Sequence, residues 1–102
     1  MDTKSLVIAA KARFNHNSAK AYLKEKYDAK LLVAEQGGLW KADQHTITFL
    51  SVMANEDKVV IMDTFDHPVL VNRSELLSKL KEVYITVMAE WYSEWKELES
   101  KR

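Results

Sequence analysis

The residues best suited to chemistry are two carboxylates and an imidazole within a five-residue segment, Asp63, Asp66 and His67. Carboxylate and imidazole groups this close together could ligate a divalent metal ion. The same segment precedes Pro68, however, and aspartate side chains in a turn accept hydrogen bonds from nearby backbone N–H groups. Because a turn accounts for these residue types without a ligand, we expect neither a metal site nor catalysis here.

A second candidate for chemistry is Glu35, which precedes the only two glycines of the chain, Gly37 and Gly38. A general acid in a glycine-lined pocket would need a partner carboxylate or a nucleophile, and neither accompanies Glu35 in sequence. The glycines also lack the Lys-Ser/Thr of a phosphate loop. The chain contains no cysteine, which excludes disulfides, thiol catalysis and cysteine-based zinc sites. We therefore expect a protein that is not an enzyme and that uses no cofactor.

The feature that indicates a function is a stripe of large apolar residues near the C-terminus. Residues 73–102 contain neither glycine nor proline, and Leu77, Tyr84, Trp91 and Leu98 recur at an interval of seven. Read as a helix, this segment is about 45 Å long at roughly 1.5 Å per residue. Its first half can pack on a small sheet, but its outer half extends beyond one and needs another surface.

Trp and Tyr are the residue types that concentrate at the buried centres of protein interfaces. The outer half of the helix therefore predicts a protein-interaction surface formed by Tyr84, Met88, Trp91, Tyr92, Trp95 and Leu98. The alternative is a helix that folds back wholly onto the N-terminal helical segments. A membrane-surface helix is disfavoured, because the four glutamates between residues 90 and 99 would face anionic lipid.

The elements that must position this helix begin with helical segments at the N-terminus. Apolar residues share one face in residues 3–14, and Thr3 can cap that segment. Residues 15–18, Asn-His-Asn-Ser, interrupt the pattern and can cap a second helix that runs to about Tyr27. One kinked helix is the alternative.

The middle of the chain predicts two β-hairpins. Strand-length apolar runs lie on either side of Gly37 and Gly38, which mark a tight reversal where positive φ is needed. Two further runs, residues 59–62 and 69–71, flank the polar turn that contains Pro68. A capping box of Asn72 and Glu75 then begins the long helix.

Residues 43–54, between the two hairpins, are ambiguous in their periodicity. Asp43 is a good N-cap for a helix. Thr46, Thr48 and Val52 favour a strand by propensity. The residues alone lean slightly towards β structure.

Length and composition indicate one domain, because 102 residues with 47% hydrophobic and 29% charged residues are ordinary globular values. The net charge is zero, but residues 1–51 carry eight Lys or Arg against five Asp or Glu (+3), and residues 52–102 carry seven against ten (−3). This polarity favours head-to-tail protein contacts, whereas a nucleic-acid binder would show a basic excess. The apolar run at residues 6–10 is too short for a signal peptide or a membrane span, so we expect a cytoplasmic protein without a membrane partner.

Several short motifs together resemble a family of small proteins of T4-like tailed bacteriophages, the myoviruses. The similarity spans about residues 18–100 and is carried by Tyr27, residues 31–33 (Leu-Leu-Val), residues 37–41 (Gly-Gly-Leu-Trp-Lys), residues 47–50 (Ile-Thr-Phe-Leu), Asp63, His67, Pro68, residues 73–77 (Arg-Ser-Glu-Leu-Leu), Tyr84, Met88 and Trp91. The resemblance implies a virion or head-assembly component and brings no catalytic residue with it.

The resemblance also bears on residues 43–54. In that family the stretch after the Gly-Gly-aromatic-Lys segment reads Thr-Pro-Glu-Leu-Ile, which begins a helix. Residues 43–47 of this chain, Asp-Gln-His-Thr-Ile, depart from it at the proline but keep a capping residue. The resemblance therefore implies a helix at 43–54.

Together these observations predict a single α+β domain. It comprises N-terminal helical segments (1–29), a small antiparallel sheet of two hairpins with a short intervening helix (30–72), and a long amphipathic C-terminal helix (73–102). The first functional hypothesis is a non-enzymatic phage virion structural or head/tail assembly protein that oligomerises through its C-terminal helix, with itself or other virion proteins as partners. It would reside in the host cytoplasm or be incorporated into the virion. The alternative is a small phage-encoded binding protein that inhibits or redirects a host or phage enzyme.

Overall fold

A computed structural model describes residues 3–100 of the chain, and side chains from residue 16 onwards. The elements in chain order are α1 (Thr3–Lys30), β1 (Leu32–Glu35), β2 (Gly38–Lys41), α2 (Gln44–Val52), β3 (Lys58–Met62), β4 (Pro68–Asn72) and α3 (Arg73–Ser100). The predicted α+β fold is confirmed, including the short helix between the hairpins and the long C-terminal helix.

The predicted interruption of the N-terminal helix at residues 15–18 is wrong, because α1 is continuous through them and ends at Lys30. Asn and Ser in a helix interior cost only a few tenths of a kcal/mol each relative to better helix formers. Tertiary packing outweighs such costs. Here His16 lies against α3, with its Nε2 3.5 Å from Glu99 Oε1, so the polar segment is supported by the neighbouring helix.

The α1 and α3 helices form an antiparallel pair. Lys20 contacts Glu99, Lys26 contacts Glu94 and Lys30 contacts Glu90, at N–O distances of 3.1, 2.8 and 3.3 Å. The contacts thus pair increasing residue numbers in α1 with decreasing residue numbers in α3, as expected for two antiparallel helices. This pairing gives an elongated molecule of 65 × 24 × 20 Å, and the outer half of α3 is covered on one side by α1.

The first hairpin reverses through Gln36 and Gly37, whose φ angles are 49° and 81°. Two-residue hairpin turns of type I′ need positive φ at both central positions. The sequence predicted the reversal at Gly37 and Gly38, so the turn is displaced by one residue. Gly38 instead begins β2, where a Cβ atom would lie 2.5 Å from Cζ2 of Trp40. The indole therefore covers Gly38, and the glycine is required by packing.

Trp40 is buried, with 2% of its surface exposed. Its Nε1 donates a hydrogen bond of 2.8 Å to the Glu35 carbonyl. The other fully buried large side chains are Tyr27, Leu50, Leu76, Leu80 and Val71. Most of the core thus lies where α2 and both hairpins meet the first half of α3.

The two hairpins form two separate two-stranded sheets, not one sheet. Hydrogen bonds join them at both ends, through the Gln36 side chain at one end and through the backbone at the other. The Asn72 N–H donates to Gln36 Oε1 at 2.7 Å and Gln36 Nε2 donates to the Asn72 carbonyl at 3.2 Å, while the Thr64 N–H donates to the Leu39 carbonyl at 2.9 Å. The Gln36 carboxamide thereby occupies the edge of β4 as a neighbouring strand would.

Polar side chains cap both later helices as the sequence predicted. The Thr46 N–H donates to Asp43 Oδ1 at 2.9 Å, and the Glu75 N–H donates to Asn72 Oδ1 at 3.1 Å. The reciprocal half of the capping box is replaced, because the Asn72 N–H is already bonded to Gln36. Arg73 further fixes the start of α3 by donating from Nη1 to the Leu50 carbonyl at 3.1 Å.

Candidate functional site

The Asp63 carboxylate organises the β3–β4 turn. Its Oδ1 accepts hydrogen bonds of 3.0 Å from the N–H groups of both Phe65 and His67, and its Oδ2 accepts one of 3.3 Å from the Leu39 N–H. The hydrogen bond from His67, aided by those from Leu39 and Phe65, holds the pKa of Asp63 below its ordinary value against the opposing effect of desolvation. The turn interpretation of this carboxylate is therefore confirmed.

A shallow groove of about 650 Å³ lies between the two hairpin turns and is lined by Glu35, Gly37, Gly38, Asp63 and His67, among others. The structure thus brings Glu35 to the same groove as Asp63, which the sequence did not predict. Both Asp63 oxygens accept hydrogen bonds from backbone donors, which favours the ionised form of this carboxylate. Within residues 16–100, no group of three or more His, Asp or Glu is placed to hold a metal ion.

Half of the predicted interaction surface is directed at the chain's own elements. Trp91 stacks on Tyr27 of α1, with ring centroids 5.8 Å apart and an interplanar angle of 12°. The Tyr84 hydroxyl accepts a 3.0 Å hydrogen bond from Gln44 Nε2 of α2, and Leu98 packs against the core. These three side chains therefore contact the chain's own elements, with Trp91 on α1 and Tyr84 on α2.

Charged side chains enclose the stacked pair and fix the α1–α3 contact. The Lys26 ammonium donates to Glu94 Oε1 at 2.8 Å, which raises the pKa of Lys26 and lowers the pKa of Glu94. Burial raises the pKa of Tyr27. The ammonium groups of Lys26 and Lys30 lie 5.2 and 5.0 Å from the centroid of the Tyr27 ring. This cluster holds α3 in one orientation and so determines which of its faces points outwards.

The other predicted interface residues, Met88, Tyr92 and Trp95, lie on the outward side of α3 together with Ile85. Ile85 is 67% exposed, Tyr92 62% and Trp95 38%, and Met88 is half-buried. Successive separations of three, four and three residues place all four side chains in one row along the helix. We call this row, Ile85, Met88, Tyr92 and Trp95, the α3 stripe. Sequence reasoning missed Ile85, although the same spacing rule applied from Tyr92 would have found it.

A second apolar surface lies on the β3–β4 hairpin. Val60 and Leu70 are cross-strand partners and are 60% and 61% exposed, while Met62 and Phe65 are 53% and 65% exposed. Val59 and Val71 alternate with them and are buried. We call the exposed side of the strands, Val60, Met62 and Leu70, the hairpin face. Sequence reasoning missed it as well, although apolar residues on both faces of short strands are a signal of burial on both sides.

No known protein family, curated protein or solved structure shows significant similarity to this chain. The resemblance to myovirus proteins therefore stays a prediction. In the described part of the chain, no helix combines the length and the apolar character needed to cross a membrane. Functional inference therefore rests on the two exposed apolar surfaces.

Proposed function

We propose that this chain is a non-enzymatic assembly protein that acts by self-association through the α3 stripe. The observation that carries the proposal is that stripe itself, a row of four large apolar side chains along the outward face of a long helix. The further proposal of a phage virion structural or head/tail assembly role is supported by the resemblance of the sequence motifs alone.

Helix packing favours this interpretation. An antiparallel helix pair leaves one side of each helix uncovered, and two such pairs commonly complete a four-helix bundle. In this chain α1 covers one side of α3 through Tyr27 and the three ion pairs described above. The α3 stripe lies on another side, where no described element of the chain covers Ile85 or Tyr92.

The size and type of the exposed side chains also fit an interface. Burying the exposed parts of Ile85 and Tyr92 would contribute about 1–2 kcal/mol each. Tyr and Trp are enriched among the residues that dominate binding energy. Because α1 holds α3 in place before any partner binds, ordering the helix adds little cost to association.

The test is the molar mass in solution at micromolar concentration, measured by light scattering or sedimentation. We expect a defined oligomer for the native chain. Ile85→Ala/Tyr92→Ala should weaken association by about a hundredfold or more, while the circular dichroism spectrum stays that of the folded chain.

A matched control is Val52→Ala/Tyr22→Ala, because Val52 and Tyr22 are also helical and are 72% and 65% exposed. This pair lies outside the α3 stripe and should leave the oligomer unchanged. A monomeric native chain at all accessible concentrations would refute self-association.

A second candidate function, a small binding protein that inhibits or redirects an enzyme, is favoured by the hairpin face. That surface consists of apolar side chains, and no third strand pairs with the two strands of its sheet. An exposed apolar face of this kind commonly marks a site of interaction with another protein. Two results together would support this candidate over assembly. The native chain would be monomeric, and binding of a purified partner would be lost in the Val60→Ser/Leu70→Ser variant but kept in the Ile85→Ser variant.

A further inference from the structure

We infer that the partner on the α3 stripe is a second copy of the chain, bound antiparallel, with a two-fold axis that passes between the two α3 helices at the level of residue 90, halfway between Met88 and Tyr92. This inference rests on the proposed self-association and adds its geometry. It follows from a symmetry in the exposed residues of α3. The apolar residues at 85 and 88 have counterparts at 95 and 92, at equal distances on the other side of residue 90.

The apolar residues of the α3 stripe satisfy this symmetry. With the axis at that level, Ile85 of one copy lies opposite Trp95 of the other, and Met88 lies opposite Tyr92. Each layer then joins one aliphatic side chain to one aromatic side chain. Alternating large and differently shaped side chains across a helix contact allows interdigitation. All four residues can bury additional surface on association, since Ile85, Tyr92 and Trp95 are exposed and Met88 is half-buried.

One exposed flank of the stripe carries a charge pattern with nearly the same symmetry, centred on residue 89, one position from the centre of the apolar row. Glu82, Ala89 and Lys96 follow one another at intervals of seven residues along this flank, and all three are exposed. The antiparallel arrangement places Glu82 of each copy beside Lys96 of the other. Each dimer therefore contains two complementary ion pairs at the ends of the apolar contact, which is where such pairs select a partner's orientation.

Ala89 lies between the two charges and meets Ala89 of the second copy near the axis. A small exposed residue there lets the two helices approach closely enough for the α3 stripe to be covered. The Lys96 ammonium is 5.9 Å from the centroid of the Tyr92 ring of its own chain, so the cation already lies at the edge of the apolar row.

A parallel arrangement would lose these features. Glu82 and Lys96 of the two copies would be separated by fourteen residues, about 21 Å along the axis at roughly 1.5 Å per residue. Neither ion pair could form. The charge pattern therefore distinguishes the two orientations and favours an antiparallel second copy as the partner that covers the α3 stripe.

The orientation can be tested by disulfide crosslinking, because the native chain contains no cysteine. Glu82→Cys and Lys96→Cys each place one thiol at the rim of the contact and leave the α3 stripe intact. Mixed in equal amounts under mild oxidation, the two variants should give a disulfide-linked dimer that joins position 82 to position 96. Each variant alone should stay unlinked.

Charge reversal gives a second, independent measurement by sedimentation. Glu82→Lys and Lys96→Glu should each raise the dimer dissociation constant about tenfold. The double variant Glu82→Lys/Lys96→Glu should return to within about threefold of the native value. Positions 82 and 96 are too far apart within one chain to contact each other, so recovery can arise only between copies.

The outcomes separate the inference from the proposed function. A linked dimer from the mixture together with recovery in the double variant supports the antiparallel geometry. Links between identical positions, or a native oligomer with neither mixed link nor recovery, overturn the geometry and leave self-association standing. A monomeric native chain in the mass measurement overturns the proposed function itself, and the inference with it.

Discussion

Substitution of Gly38 by alanine should destabilise the fold through a single contact with the Trp40 indole. The new Cβ would lie 2.5 Å from Cζ2, 2.8 Å from Cε2 and 3.2 Å from Nε1 of Trp40. The indole cannot turn away into solvent, because it is 2% exposed and its Nε1 is bonded to the Glu35 carbonyl at 2.8 Å. Overpacking of this kind costs about 1–3 kcal/mol, and loss of the buried hydrogen bond adds about 1 kcal/mol.

We therefore expect Gly38→Ala to lower the free energy of unfolding by about 2–4 kcal/mol, which corresponds to a fall of about 10–20 °C in the thermal midpoint of a domain this size. The measurement is urea and thermal unfolding followed by circular dichroism. Gly37→Ala is the matched control, since its Cβ would meet nothing within 4 Å and only the φ of +81° is unfavourable, at about 1–2 kcal/mol.

The reasoning also requires that the cost of Gly38→Ala depend on the indole. In a Trp40→Leu background, Gly38→Ala should cost less than about 1 kcal/mol, which makes the two positions strongly coupled. If Gly38→Ala is no more destabilising than Gly37→Ala, or costs the same in both backgrounds, the close approach of the indole to Gly38 is refuted.

Three further predictions concern the contacts between elements. Gln36→Ala removes both side-chain hydrogen bonds to Asn72 and should lower the unfolding free energy by about 1–3 kcal/mol, whereas Gln44→Ala, which removes one exposed bond, should cost under about 1 kcal/mol in the same urea titration. The pKa of Asp63 in the folded state is depressed, so its contribution to stability is present at pH values above the ordinary aspartate pKa and is lost as pH falls below about 4. Asp63→Asn should flatten that part of the curve of stability against pH. An unchanged slope would contradict the role of the Asp63 carboxylate in the turn. Trp91→Ala should cost about 2–4 kcal/mol of monomer stability while Tyr92→Ala stays within about 0.5 kcal/mol, and equal effects on the melting temperature would show that the two aromatic residues do not face opposite sides of α3.

Local signals in the sequence were sufficient for the elements whose stability is local. Asn72 begins α3 because its side chain bonds the backbone N–H three residues ahead, and that depends only on nearby residues. Asp43 does the same for α2, but residues 43–54 alone lean towards β structure, and the helix there is predicted from the resemblance. Local signals also sufficed for the reversal at the glycines, within one residue. The predicted break at residues 15–18 failed for the opposite reason. The local preference against helix is weak there, and packing of α1 on α3 outweighs it.

The partition of α3 into inward and outward residues could not be predicted from its periodicity. The heptad of Tyr84, Trp91 and Leu98 and the stripe that contains Met88 and Tyr92 are adjacent rows on one helix, and both are apolar. Which row faces inwards depends on where α1 lies, and that is settled by contacts such as Tyr27 with Trp91, sixty-four residues apart in sequence. The periodicity of apolar residues determines that a helix has a buried side. Only tertiary packing decides which neighbour covers that side and which row is left for a partner.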